Sequence, residues 1–239
     1  MHPDVIFLLY KSKAKKNKIV HDIFKHANRH LLSLGVNSCL MDMTSWNSSV
    51  KCKISVALGG YKPLSTRGRM VKRIMDDQKS NNNKHIVMDR GYIYKRGEYW
   101  SLGWGGLNGR ADFKNKNSDD SRIKEWGVKL KPWKDNKNGD VLFCLQLPWD
   151  AAVANVDYPE YVEKTIKKIL LSTDRNIIIR KHPRMHKGAL SRLDISERCM
   201  KVVEEMTKIE RITMSEEESI IEDFNKSWCV VAYNSNSTV

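Results

Sequence analysis

Short apolar runs rich in β-branched residues alternate with amphipathic segments along most of this chain, and that alternation restricts it to an α/β fold built on parallel strands. Val5 to Tyr10 is followed by a helical pattern over about Asn17 to Leu34, then by apolar runs at Val36 to Met41 and Lys53 to Leu58. After Gly59-Gly60 a basic helix is predicted over about Arg67 to Gln78. The polar breaker Ser80-Asn81-Asn82-Asn83 leads from it into His85-Ile86-Val87-Met88-Asp89, a buried-strand pattern that ends in an acid. Residues Gly91 to Asp140 differ: they are aromatic, Gly-rich and charged, with little clean periodicity. From Val141 the alternation restarts with Val141 to Leu147, a helix over about Pro159 to Leu171, and the strand pattern Asn176 to Arg180. A helix over about Ser196 to Met206, a short strand near Arg211 to Thr213, a helix opened by Ser215-Glu216-Glu217-Glu218 in a capping-box pattern, and the strand Trp228 to Tyr233 complete the expectation. Two α/β domains follow: residues 1–136, with a Trp/Gly-rich insert at 91–136, and residues 140–239.

The 239 residues include 41% hydrophobic ones, enough for proper cores. The longest uncharged apolar stretches are far too short to cross a bilayer, and the N-terminus lacks the organisation of a signal peptide, so a cytoplasmic protein is expected. Five widely spaced cysteines, Cys39, Cys52, Cys144, Cys199 and Cys229, suggest neither a disulfide framework nor a zinc site and read as reduced core residues. Forty-two Lys and Arg against 28 Asp and Glu give a net charge of +14, which favours a polyanionic partner, nucleic acid first, or an anionic substrate. The excess reads as spread along the chain. Its one true run, Lys11 to Lys18, falls where the first strand passes into a helix, and solvation alone accounts for it there.

Three features fall at the ends of predicted parallel strands: Gln146-Leu147-Pro148-Trp149-Asp150, Arg180-Lys181-His182-Pro183-Arg184, and Asn234-Ser235-Asn236-Ser237-Thr238. In an open parallel sheet the carboxyl ends of the strands line one crevice, so these distant residues are expected to converge on one anionic ligand. Amide, imidazole, guanidinium and hydroxyl donors together suit the phosphates of a nucleotide-sugar. Taken alone, a His-Pro pair after a strand is ordinarily just a turn. The last turn looks like half of a phosphate site whose covering helix lies beyond Val239, so the second domain is expected to be truncated.

The order Gln-x-Pro with a nearby Asp, then Arg-Lys-His-Pro, then Tyr-Asn-Ser-Asn-Ser-Thr-Val resembles the donor-binding half of GT-B glycosyltransferases, particularly the capsular-polysaccharide and Kdo-transferase-like group. Met88-Asp89-Arg90-Gly91-Tyr92 and Trp104 to Phe113 resemble phage-encoded relatives of those enzymes. The likeness is at the level of motifs and covers roughly the second two-thirds of the chain. It implies a GT-B-like pair of Rossmann-like domains, with nucleotide-sugar as co-substrate and no other cofactor. By position it implies that His182, Ser235, Ser237 and Thr238 contact donor phosphate, that Arg180 or Lys181 offsets its charge, and that Gln146 lines the crevice. No Asp-x-Asp pair is placed as a metal clamp, and cationic groups with a helix N-terminus can stabilise the departing phosphate without one.

Transfer also needs a base for the acceptor hydroxyl. Asp89, expected to face an interdomain cleft, is the first candidate; a carboxylate holding the following Gly turn explains it equally. Asp112 is the second, against a structural Arg-Asp pair, and Asp150 the third, against a role in its own turn. Trp104 and Arg110 are candidates for acceptor binding. With Trp100, Trp126 and Trp133, Trp104 could stack on sugars or an extruded base, or pack beneath a long loop. The glycines at 103–109 match neither a GxGxxG turn nor a P-loop, and no Gly-x-Ser-x-Gly elbow occurs. The acceptor is a modified base in DNA, favoured by charge, or a surface polysaccharide, favoured by the motifs. A non-catalytic basic nucleic-acid-binding protein is the rival reading.

Overall fold

The computed structural model describes residues 2–10, 15–59, 65–91, 99–107, 111–114, 116–129, 132, 135–185 and 190–234, with the side chains of 15–17 and 190–193 outside that description. The chain forms two compact units, Met1–Trp126 and Gly127–Val239. Both are α/β, one built on a mixed sheet and the other on a parallel sheet.

In unit 1, strands β1 (Val5–Leu9), β2 (Ser38–Asp42), β3 (Ile54–Leu58), β4 (Lys84–Arg90) and β5 (Trp100–Trp104) lie in the order β2-β1-β3-β4-β5. The first four are parallel and β5 runs antiparallel along the edge. Helix α1 (Lys15–Ser33) packs Val20 and Phe24 on Val5, Phe7, Val56 and Met88, with the Phe7 and Phe24 rings 5.3 Å apart. Helix α2 (Thr66–Ser80) packs Val71 and Ile74 on the other face, against Ile6, Leu8 and Ala57. Its N-cap is Ser65, whose hydroxyl accepts the Gly68 N–H. Burial on both faces is why these strands read as unbroken apolar runs. The edge strand β5 has no such signature. It is half-exposed and interrupted by Gly103, where a β-carbon would come within 2.3 Å of the Gly106 carbonyl oxygen. A short helix, α3 (Ser121–Glu125), follows it.

In unit 2, strands β6 (Asp140–Cys144), β7 (Ile177–Arg180), β8 (Ile212–Met214) and β9 (Ser227–Ala232) are all parallel, in the order β8-β7-β6-β9. Helices α4 (Tyr158–Ser172) and α5 (Leu190–Met206) join Phe143, Ile177 and Ile179 in one core through Tyr158, Val162, Ile166 and Val203. Asp157 caps α4 by accepting the Glu160 N–H, and Pro159 sits in its first turn. The final helix, α6 (Ile220–Lys226), begins later than the capping-box pattern predicts. Ser219 is its cap, because the Ser215 hydroxyl is already bonded to the Asp223 carboxylate. All five cysteines are free; Cys52, Cys144 and Cys199 are buried and Cys39 and Cys229 partly so. Among the described residues no helix is long and apolar enough to cross a membrane.

One buried polar pair bears on stability. Ser55 Oγ and His85 Nδ1, opposite each other on β3 and β4, lie 2.7 Å apart, and His85 Nε2 has no partner. Burial pushes the imidazole pKa down to about 4. The unfolded chain, with an ordinary value near 6.5, therefore binds a proton that the folded chain refuses between those limits. The stability due to neutral His85 is full above pH 6.5 and is lost as pH falls toward 4. Urea titrations across that window are expected to show a fall of order 3 kcal/mol, absent in His85→Gln at matched salt.

Candidate functional site

The strand order of unit 2 places the carboxyl ends of β7, β6 and β9 side by side. Connections from β6 run outward to β7 and β8 on one side, while β9 lies on the other, so the order reverses between β6 and β9. Open α/β sheets bind ligands at such a reversal.

Gln146 spans that gap. Its Nε2 donates to the Asn234 carbonyl at 2.5 Å, and its Oε1 accepts the Leu147 N–H at 2.9 Å. Its backbone N–H donates to Tyr158 Oη at 2.6 Å, and Tyr158 is fully buried. Two of the three motifs thus meet in one hydrogen bond, with the loop after β6 pinned from beneath by α4. Asp150 turns the same loop through Oδ1, which accepts the Ala152 N–H at 3.0 Å at the head of a short 3-10 turn, Ala151–Val153.

The third motif follows β7. His182 Nδ1 accepts the Arg184 N–H at 3.1 Å, so the neutral ring carries its proton on Nε2 and presents a donor there. Burial, and then the Arg184 cation, hold its pKa below the ordinary value; the Asp150 carboxylate opposes them. His182 and Asp150 therefore share one electrostatic neighbourhood. Lys181 is exposed.

Arg180 is differently disposed. Its guanidinium donates to Asp223 Oδ2 at 2.5 Å, to Ser215 Oγ at 3.1 Å, and to the carbonyls of Glu217 and Glu218 at 2.9 and 2.8 Å. Asp223 is buried, with 1% of its side chain exposed. Four acceptors occupy this cation inside the fold. Of the phosphate-facing residues implied by the resemblance, Ser235, Ser237 and Thr238 lie outside the described residues, which end at Asn234, two residues past β9.

In unit 1, Asp89 sits at the carboxyl end of β4, half-buried, with Oδ1 accepting the Arg90 N–H at 2.8 Å. Asp112 is exposed, pairs its backbone with Trp104 and forms an ion pair with Lys114, which lowers its pKa. Arg110 lies outside the described residues, as does Trp133. Trp104 is half-buried, with Lys84 Nζ 5.6 Å from its ring centroid. Trp126 packs on Tyr99 at 3.8 Å, and Trp100 packs against the α1-side core. Among the described residues no group of three His, Cys, Asp or Glu is placed to hold a metal ion.

The basic excess is not spread along the chain. Unit 1 holds 24 Lys and Arg against 11 Asp and Glu, a net +13, and unit 2 holds 18 against 17. On α4, (i, i+4) ion pairs neutralise Lys164 and Lys167, and just past the end of α5 Lys208 reaches back to Glu205. Sequence reading overlooked Tyr158 and Asp223, whose roles rest on contacts 12 and 43 residues away.

Neither the protein-family models nor the curated proteins include a match to this chain. The contrast between Arg180, engaged by Asp223, and His182 just beyond β7 is testable. Asp223→Ala strands a buried guanidinium and is expected to cost about 3–5 kcal/mol in chemical denaturation. His182→Ala, which removes a partly exposed ring, is expected to stay within about 0.5 kcal/mol of the wild type.

Proposed function

We propose that this protein is a metal-independent glycosyltransferase of the GT-B type, moving a sugar from a nucleotide-sugar to a hydroxyl group on DNA. The observation that carries the reading is the Gln146–Asn234 bond at the strand-order reversal of unit 2, beside an imidazole with a donor on Nε2. A diphosphate-linked donor takes such a place, its phosphate oxygens accepting from His182 Nε2–H and from residues of the segment 234–238. Lys181 supplies charge in place of the engaged Arg180. The acceptor oxygen attacks the anomeric carbon, the bond from that carbon to the phosphate oxygen breaks, and the hydroxyl proton passes to a carboxylate. Asp89 suits that role better than Asp112, which is exposed and paired with Lys114, or Asp150, which caps its own turn.

Unit 2 is the donor side and unit 1 the acceptor side in this reading. The net +13 of unit 1 favours a polyanionic acceptor over a neutral polysaccharide and agrees with a cytoplasmic, phage-type DNA-modifying enzyme. The same charge is what a non-catalytic nucleic-acid-binding protein would have, and the donor site separates the two.

A thermal-shift screen against UDP-, GDP-, CMP- and ADP-sugars makes that separation. One nucleotide family is expected to stabilise the protein, by about 2.7 kcal/mol at a hundredfold excess over Kd, with the shift lost in His182→Ala. A folded protein that responds to none of them, yet binds DNA with strong salt dependence, would establish the non-catalytic reading instead.

A further inference from the structure

The sheet of unit 1 has its own order reversal, between β1 and β3, from which α1 and α2 depart to opposite faces. At the carboxyl ends of those strands lies a small open crevice lined by Leu8, Leu9, Tyr10, His21, Leu58 and Arg67 among others. We propose that this crevice binds a single phosphomonoester group, gripped by Arg67.

Arg67 is the second residue of α2, and its fork lies across Gly59 at the end of β3. A β-carbon on Gly59 would come within 2.6 Å of Arg67 Nη2. Two other part-buried arginines, by contrast, donate to backbone carbonyls: Arg175 to Gly139, and Arg211 to Thr173 and Arg175. Among the described residues no hydrogen bond or ion pair engages Arg67. Withdrawing a cation from water without a hydrogen-bonded partner is costly, and a bound oxyanion offsets that cost beyond what the nearby Asp89 charge supplies. His21 Nε2, also lining the crevice, is shielded from solvent and has no partner either. The arginine and the imidazole thus line one concave spot, with Tyr10 beside them.

Charge and donor geometry select the ligand. An arginine fork matches phosphate bidentately. Asp89 is close enough to act on Arg67 electrostatically. A carboxylate there disfavours a second carboxylate but suits a phosphoryl group that still carries a proton to share. An internal phosphodiester has no such proton and must leave the crevice in two directions. A terminal phosphate, on a small metabolite or on a nucleic-acid end, meets both requirements. This assignment stands on unit 1 alone and not on the donor site of unit 2.

The test is amide NMR of the whole protein titrated at constant ionic strength with inorganic phosphate, acetate, and a dinucleotide with or without a 5′-phosphate. Phosphate is expected to shift the Gly59 and Arg67 amides with a millimolar Kd, and acetate to bind at least tenfold more weakly. A response to the 5′-phosphorylated dinucleotide alone marks a nucleic-acid end as a competent source; a response to phosphate but to neither dinucleotide marks a small metabolite. Arg67→Leu, and Gly59→Ala, which displaces the fork without removing it, are each expected to weaken binding at least tenfold. His182→Ala is expected to leave these shifts unchanged, whatever becomes of the donor site. No shift at Gly59 in the wild type, equal binding of acetate, or unchanged affinity in both folded variants would overturn the proposal.

Discussion

The carboxyl edge of the second sheet is organised by one buried ion pair. Arg180 and Asp223 bring together the end of β7, the residue after β8 and the last helix, with two further carbonyls from the intervening segment accepting from the guanidinium. Desolvating both charges is expensive, and the attraction between them repays it with the help of these additional hydrogen bonds. What the arrangement secures is position. Lys181 and His182 leave the sheet from a fixed anchor, while the neighbouring loop after β6 is held separately by Tyr158 from below and by Asn234 from the side. A ligand group arriving there meets donors already oriented, which limits the ordering cost of binding.

The two units use the same architectural rule in different chemical terms. Each has a parallel core of strands whose order reverses once, and each concentrates polar side chains at that reversal. In unit 2 the gap is crossed by a neutral amide. In unit 1 it is overlooked by a cation lying against a glycine. The surrounding fields differ in the same direction, since nearly all of the net charge belongs to unit 1. A long-range field of positive sign therefore originates in unit 1, whereas unit 2 offers short-range hydrogen-bonding groups.

Much of this was legible in the sequence, for a physical reason. Strands buried on both faces must be continuously apolar, so Val5–Leu9, Ile54–Leu58, Val141–Cys144 and Ile177–Arg180 announce themselves. The convergence of Gln146 and Asn234 followed from their places after parallel strands. What escaped depends on partners remote in the chain. The edge strand Trp100–Trp104 is defined by pairing with β4 and not by its own pattern. Ser215 looks like a helix cap until Asp223 claims its hydroxyl. Arg180 looks like a free phosphate ligand for the same reason, and Arg67 becomes noticeable only once the strand order puts it beside β1.

Gly59 joins two requirements that usually fall on separate residues. Its φ of +72° disfavours most side chains on backbone grounds, and a β-carbon there would have to push aside the tip of the Arg67 side chain above it. Asparagine and aspartate, the usual substitutes where the backbone is left-handed, meet the first requirement and leave the second to the arginine. The backbone requirement is rigid, whereas the spatial one yields as the Arg67 side chain swings away. A substitution here is therefore felt less in the fold than in where the guanidinium comes to rest.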